Sequence, residues 1–386
     1  MLMEKFLLRF FLLCILILGK MNTQAQDSSR IRISLLTCTP GNELYSLFGH
    51  SALRVIDSNS VTDHVYNYGT FNFDDPQFYI KFTRGKLLYY MSLEQFADFK
   101  DLYQYTGREI TEQVLLLTAE EKMAIRSFLM ENLKEENKYY QYDSFFDNCT
   151  TRLRDLIKKF KHPTPQLPAV QPVNMRFRQA IHEYLDKGGQ AWSKLGIDIL
   201  LGAKTDRIMS AEEQQFLPDN LMMAIDSNQN GHLVIHSQKL YTLPQAASNA
   251  SGISPMVFFS LLFLLFALIY FSKKFPLLLT GLDGLLFFCT GLLGAILVFM
   301  WLGTDHSMTK NNYNLLWALP THLIASFFIQ SQKSWVKKYL RFTAIFGIGL
   351  LIAWNFLPQQ MNNALIPLLV LIIFRSWIRS KKGEPK

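Results

Sequence analysis

Charge is scarce in this chain. Of its 386 residues only 18% are Asp, Glu, Lys or Arg, where a soluble domain carries about a quarter. Acids are scarcest after residue 254, where Asp283, Asp305 and Glu384 stand against 12 Lys and Arg, a net +9. Residues 1–25 are at +2, so residues 26–254 are at −3 within a total of +8. The basic excess therefore belongs to the hydrophobic half, which excludes a nucleic-acid footprint. Cysteine is also rare, at four residues, which excludes a disulfide-dense scaffold. There is no P-loop, no GxSxG, no HExxH, no CxxC and no internal repeat. What is abundant is apolar: 49% of the chain is hydrophobic, with 31 Phe, and five of the six Trp lie after residue 254.

The apolar residues fall into two kinds of run. Lys5 and Arg9 precede an apolar stretch from Phe10 to Gly19, and Thr23 and Ala25 stand at −3 and −1 of a cleavage site after Ala25. This predicts a signal peptide over 1–25, with an uncleaved anchor as the other reading; both export residues 26–254. Cys14 leaves with the peptide, and no Cys stands directly after the site, so it is not a lipoprotein signal. Five longer stretches, 255–272, 277–302, 313–330, 340–356 and 363–378, each approach the length that crosses a ~30 Å hydrocarbon core. Lys273 and Lys274 come after the first, Lys333 to Arg341 after the third, and Arg375 to Lys386 close the last. The loops after the second and fourth hold Lys310 alone and no basic residue at all. The alternation predicts a cytoplasmic C-terminus and places residues 26–254 on the other side. Asp283, inside the second stretch beside Gly281 and Gly284, reads as helix packing, an interfacial charge or a functional carboxylate. Asp305 and His306 read as a solvated loop or as a site facing the exported domain.

The exported part reads as α+β, strands first and helices afterwards. Alternation predicts strands near 31–38, 48–57, 63–68, 86–91 and 108–117; helical periodicity predicts 118–137, 148–160, 174–187 and 210–226. A Pro-rich run at 162–172 divides the domain, giving 26–160 as a catalytic unit, 161–254 as a helical extension whose end (237–254) is a linker, and 255–386 as the membrane part. Two cysteines remain in 26–254, Cys38 and Cys149. They form a disulfide, or one of them does chemistry. Asn148 is a good N-cap, which sets Cys149 at the first position of a helix. There the macrodipole lowers a thiol pKa, and free N–H groups are placed to hold an oxyanion. His50, behind Gly49 at the start of a strand, is a candidate base, with a structural histidine as the alternative. His64 and Asn67 compete to orient His50; His64 also fits a variable hairpin and Asn67 a turn before Gly69. Tyr45 and Ser46 either line a pocket with Asn148 or pack locally.

A strand-borne Gly-His, with Asn-Cys at a helix start about a hundred residues later, resembles the permuted papain-like fold of NlpC/P60-type hydrolases and lecithin:retinol-type acyltransferases. The longer runs Leu44-Tyr-Ser-Leu-Phe-Gly-His-Ser-Ala-Leu-Arg54, Tyr66-Asn-Tyr-Gly-Thr-Phe-Asn-Phe73, Lys81-Phe-Thr-Arg-Gly-Lys86, Tyr142 to Asp155, Phe216-Leu-Pro-Asp219 and Leu315-Leu-Trp-Ala-Leu-Pro320 resemble the Lnb-type bacterial lipoprotein N-acyltransferases. The resemblance covers nearly the whole mature chain. It implies a papain-like extracytoplasmic domain on five membrane helices in the bacterial inner membrane, with the catalytic domain periplasmic. It also implies acyl transfer from a membrane phospholipid, through a Cys149 thioester, to the α-amino group of a diacylated lipoprotein. Transfer from thioester to amine is downhill, so no cofactor and no metal is expected. The other readings are a membrane-anchored NlpC/P60-like cell-wall peptidase, an acyl hydrolase or acyltransferase of other envelope lipids, and a scaffold with a Cys38–Cys149 bridge.

Overall fold

The computed structural model describes residues 29–228, 231–243 and 252–381. The expected signal peptide with its cleavage site and Cys14, and residues 244–251 of the expected linker, lie outside the described residues. Seven strands form one antiparallel sheet: β1 (Ile31–Cys38), β2 (His50–Asp57), β3 (Thr62–Thr70), β4 (Leu88–Gln95), β5 (Ile110–Leu115), β6 (Tyr139–Gln141) and β7 (Val234–Lys239). Their order is β6-β4-β3-β2-β1-β5-β7. β1 lies inside the sheet, next to the central β2, and is nearly all buried, because both faces of the sheet are covered.

Alternation sorts the side chains between two cores. Leu35, Leu53 and Tyr66 pack under α3 (Ala119–Asn132), α4 (Cys149–Phe160) and α8 (Pro218–Asp226), through Ile125, Leu153, Ile157 and Leu221. Leu36, Ala52 and Val65 face the other way, against Phe99 and Tyr103 of α2 (Phe96–Tyr105).

The expected strands and the helices at 118–137, 148–160 and 174–187 are present with shifted ends. The helix expected over 210–226 is two, α7 (Ala211–Gln214) and α8, because Pro218 starts a new helix at its first turn. Residues 161–254 are not only helices and linker: strand β7 pairs with β5 over residues expected to be partly linker. β7 is a mostly exposed edge strand with four polar residues, so it carries no alternating apolar signal.

Among the described residues four segments are long and apolar enough to cross a membrane: α9 (Pro255–Ser272), α10 (Pro276–Leu302), Ser334–Phe356, which holds α12 (Ser334–Ala353), and Asn363–Lys381, which holds α13 (Ile366–Lys381). The stretch expected as a third span, 313–330, is not a continuous helix. It holds a 3₁₀ turn at Tyr313–Leu316, then α11 (Thr321–Phe327), with Pro320 between them. Its backbone lies on the glycines of α10. A Cβ at Gly294 would fall 2.1 Å from the Ala318 carbonyl oxygen, and one at Gly291 would fall 2.0 Å from the Leu323 nitrogen. Small residues allow this approach, and irregular backbone at membrane depth is tolerated where protein covers it.

The loops after α10 and α12 both meet the globular domain. Asn312 and Asn314 donate to the Ile199 and Asp198 carbonyls at 2.7 and 3.0 Å, Gln359 donates to the Leu201 carbonyl at 3.0 Å, and Asn362 donates to the Asp198 carboxylate at 2.8 Å. Asp198 in turn accepts from Arg178, which is fully buried and also holds Asp206.

Candidate active site

The site begins with the start of α4. Asn148 caps this helix: its Oδ1 accepts from the N–H groups of Thr150 and Thr151, both at 2.9 Å. Its Nδ2 donates to the Ser144 and Phe216 carbonyls, so the amide is fully engaged in the fold. The cap changes one expectation. Two of the helix-start N–H groups are occupied, and the Cys149 N–H is the one the cap leaves over for an oxyanion. Phe216-Leu-Pro-Asp219 supports the site from behind, since Phe216 holds Asn148 and Pro218 packs on Gly49.

His50 reaches the site from the first residue of β2. Gly49 before it has φ +81°, and a Cβ there would lie 2.6 Å from the Cys38 carbonyl oxygen, so only glycine fits. Ser51, next along, is tied to Thr150 by a 3.1 Å hydroxyl contact, which fixes α4 against β2. The His50 Nε2 lies 3.1 Å from Asn67 Oδ1. Asn67 is buried, and its Nδ2 donates to Glu94 on β4. The carboxylate orients the amide, so Asn67 presents oxygen to His50 and the proton sits on Nε2. Nδ1 is then the nitrogen left for the thiol.

Cys149 and His50 interact electrostatically, and each shifts the other's titration. Burial pushes the Cys149 thiol up, but the His50 charge, its hydrogen bond and the Ser51 backbone outweigh it and bring the thiol down to about 7. For His50, burial works downward, and the Cys149 charge with the bonds to Cys149 and Asn67 raises it above the usual imidazole range. Glu94 is raised by burial, against the pull of His50 and Asn67. Cys38 is free, not bridged to Cys149, and burial pushes it up to about 12. Of the two thiols, that of Cys149 is lowered and that of Cys38 raised.

His64 is elsewhere. It lies an odd number of residues from Asn67, hence on the opposite face of β3, and contacts Gln95. Ser46 is buried and donates to the Glu43 carbonyl, a local turn contact. Tyr45 is 70% exposed in the 3₁₀ turn before His50. Glu94 carries no motif that sequence reasoning could have found. Its only signal is position, on a strand one place in from the edge of the sheet.

The family description "Lnb N-terminal periplasmic domain" matches residues 19–182, and "Lnb transmembrane domain" matches residues 247–382. The chain belongs to the Lnb family. Comparison with curated proteins and with solved structures finds no match. This Lnb-family chain is thus a membrane protein with an N-terminal domain of periplasmic type, and its Cys149–His50 pair lies in that domain.

In this Lnb-family chain a line of aromatic rings runs from beside Cys149 toward the loop after α10. Gly69, φ +93°, stands two residues beyond Asn67 at a bulge in β3; a Cβ there would lie 3.7 Å from the Cys149 Cβ and 3.5 Å from the Tyr142 ring. Tyr142 stacks on Tyr89 at 4.4 Å, Tyr89 meets Phe71 at 5.2 Å, and Phe71 meets Phe73 at 4.7 Å. These rings lead from Cys149 to an exposed lip formed by Phe73, Tyr79, Ile80 and Phe82. Tyr89 and Tyr142 also line a cavity of about 430 Å³ under the loop after α10, together with Phe82, Asp143, His306 and Met308. Asp305 and His306 dock that loop: the Asp305 N–H donates to the Arg84 carbonyl at 3.0 Å, and His306 Nε2 lies 3.1 Å from the Phe82 and Thr83 carbonyls. Among the described residues no group of three His, Cys, Asp or Glu is placed to hold a metal.

Proposed function

We propose that this protein is a lipoprotein N-acyltransferase of the bacterial inner membrane. Cys149 is the nucleophile, His50 the acid–base group and Asn67 the residue that orients His50, in a permuted papain-like domain on the periplasmic side. The C-terminus is cytoplasmic, and the broken segment 313–330 counts as the fifth crossing. The observation that carries the reading is the thiol at the start of α4, lowered by a strand histidine whose Nε2 is held by a buried amide.

The thiolate attacks an ester carbonyl of a phospholipid. A C–S bond forms, the C–O bond breaks, and His50 gives its proton to the departing lysophospholipid oxygen. The Cys149 N–H faces the developing oxyanion. The α-amine of a diacylated lipoprotein then attacks the thioester. A C–N bond forms, the C–S bond breaks, and His50 takes the amine proton as the thiolate returns. No bond in this sequence needs a metal or cofactor. The aromatic route from Cys149 to the exposed lip supports a lipid substrate over a cell-wall peptide, which needs an open polar groove. Both substrates are membrane-anchored, and the docked loop after α10 holds the site at the membrane face.

Incubation of the purified full chain with phospholipid tests the reading. Mass spectrometry is expected to find one acyl group on the Cys149 peptide. In cells lacking other such enzymes, Cys149→Ala is expected to leave lipoproteins diacylated; N-acylated lipoproteins in that strain would overturn the assignment.

A further inference from the structure

At the end of the membrane part away from the globular domain, a cavity of about 470 Å³ opens between α9, α10 and α13. Asp283 lies 19 residues before the end of α10, about 28 Å along the helix from the docked loop. Four cations line or reach this cavity: Lys273, Arg375, Arg379 and Lys381. One carboxylate answers them. Asp283 accepts from Arg375 at 2.7 and 2.9 Å and from Arg379 at 2.6 Å, while Arg379 also donates to Thr280 at 2.7 Å. Arg375 is 1% exposed, and its Nη1 has no hydrogen-bond partner among the described residues. Of the other acids after residue 254, Asp305 is at the opposite end and Glu384 is outside the described residues.

Two buried arginines on a single aspartate leave a net positive charge in a low-dielectric setting, a costly arrangement unless an anion completes it. The remaining wall is apolar, with Ile269, Tyr270, Leu279 and Ile378. A cationic floor below apolar walls suits an amphiphile: a phosphate on the guanidinium groups and acyl chains along the helices.

We infer that this cavity is a binding site for a phosphate group, either the headgroup of an anionic phospholipid or free phosphate. The site is remote from Cys149, so its ligand is not the acyl donor. An occupied cavity ties α13 to α9 and α10, the helices whose far ends carry the loops under the globular domain.

Native mass spectrometry of the full chain in detergent tests this. The probes are phosphatidylglycerol, a diacylglycerol with the same chains, and inorganic phosphate. Phosphatidylglycerol is expected to be retained where diacylglycerol is lost. Lys273→Ala with Lys381→Ala is expected to weaken retention about tenfold or more, at an unchanged melting temperature of the lipid-free protein. Inorganic phosphate in large excess leaves the lipid in place if a headgroup is the ligand, and displaces it if the ligand is a soluble anion. Equal retention of diacylglycerol, or retention unaffected by the double substitution, would overturn the inference.

Discussion

Asn67 sits between two titratable groups, with its oxygen 3.1 Å from His50 Nε2 and its amide nitrogen donating to the Glu94 carboxylate. An Asn amide has two ends, and only the acceptor end fits a protonated Nε2. Glu94 selects that end, so the tautomer of His50 is determined one residue further out than the Cys149–His50 pair.

Asn67→Ala is expected to slow Cys149 acylation roughly ten- to a hundredfold, no more than the lower limit of what positioned acid–base catalysis contributes, because His50 itself remains. Glu94→Gln is expected to cost less and to move the pH midpoint of Cys149 upward, because the new amide no longer dictates which end Asn67 turns to His50. An unchanged midpoint in Glu94→Gln would remove Glu94 from the relay.

The two cysteines of the globular domain should separate by pH. Cys149 is held at about 7 and Cys38 at about 12. The thiolate of Cys149 therefore persists down to about pH 7 and is lost below it, whereas Cys38 stays protonated. Alkylation by a small reagent, then peptide mass spectrometry, is expected to label Cys149 with a midpoint near 7 and to spare Cys38. His50→Ala removes the charge and hydrogen bond that oppose burial, so its midpoint should rise. A wild-type midpoint near 9 would refute the pairing.

Gly49→Ala is expected to destabilise the protein by more than ~2 kcal/mol, since left-handed backbone already costs an alanine about 1–2 kcal/mol. The added Cβ would also press on the Cys38 carbonyl oxygen at 2.6 Å. Thermal unfolding in detergent reads the loss, and a neutral outcome would show that β1 and the turn before β2 can separate freely.

Arg178 ties the globular domain to the membrane loops through Asp198, which also accepts from Asn362. Arg178→Ala removes the cation that Asp198 and Asp206 share, leaving Asp198 to His182 and Asn362, and is expected to cost about 3–5 kcal/mol. Lys194→Ala, which removes a pair with the largely exposed Asp186 carboxylate, is expected to change stability by under about 1 kcal/mol. Similar melting points for the two variants would contradict the difference in burial.

Most of the sheet was legible because its central strands alternate between two buried faces, as Leu35 and Leu36 do. Strand β7 was not legible: it is an exposed edge whose polar residues carry no period. The membrane part was legible as hydropathy but not as geometry. The run 313–330 is apolar enough for a span, yet the fit of its backbone onto Gly291 and Gly294 is a relation between distant segments. Asp283 reads equally well as packing or chemistry until Arg375 and Arg379 are placed on it, from 92 and 96 residues away.

For the site, local chemistry reached as far as local forces do. An Asn before a Cys sets a helix cap, and a helix cap sets where the thiol lies; that much the residues 148–151 determined by themselves. The charge pattern likewise determined which half meets the membrane. Tertiary structure alone decided that His50 lowers the Cys149 thiol while Cys38, paired across from His50 on β1, stays a buried core thiol, that Asn67 rather than His64 holds the imidazole, and that Glu94 stands behind it. Strand pairing sets those choices. Moving a residue by one position turns it to the other face of the sheet, and no single stretch of sequence records which strands will lie side by side.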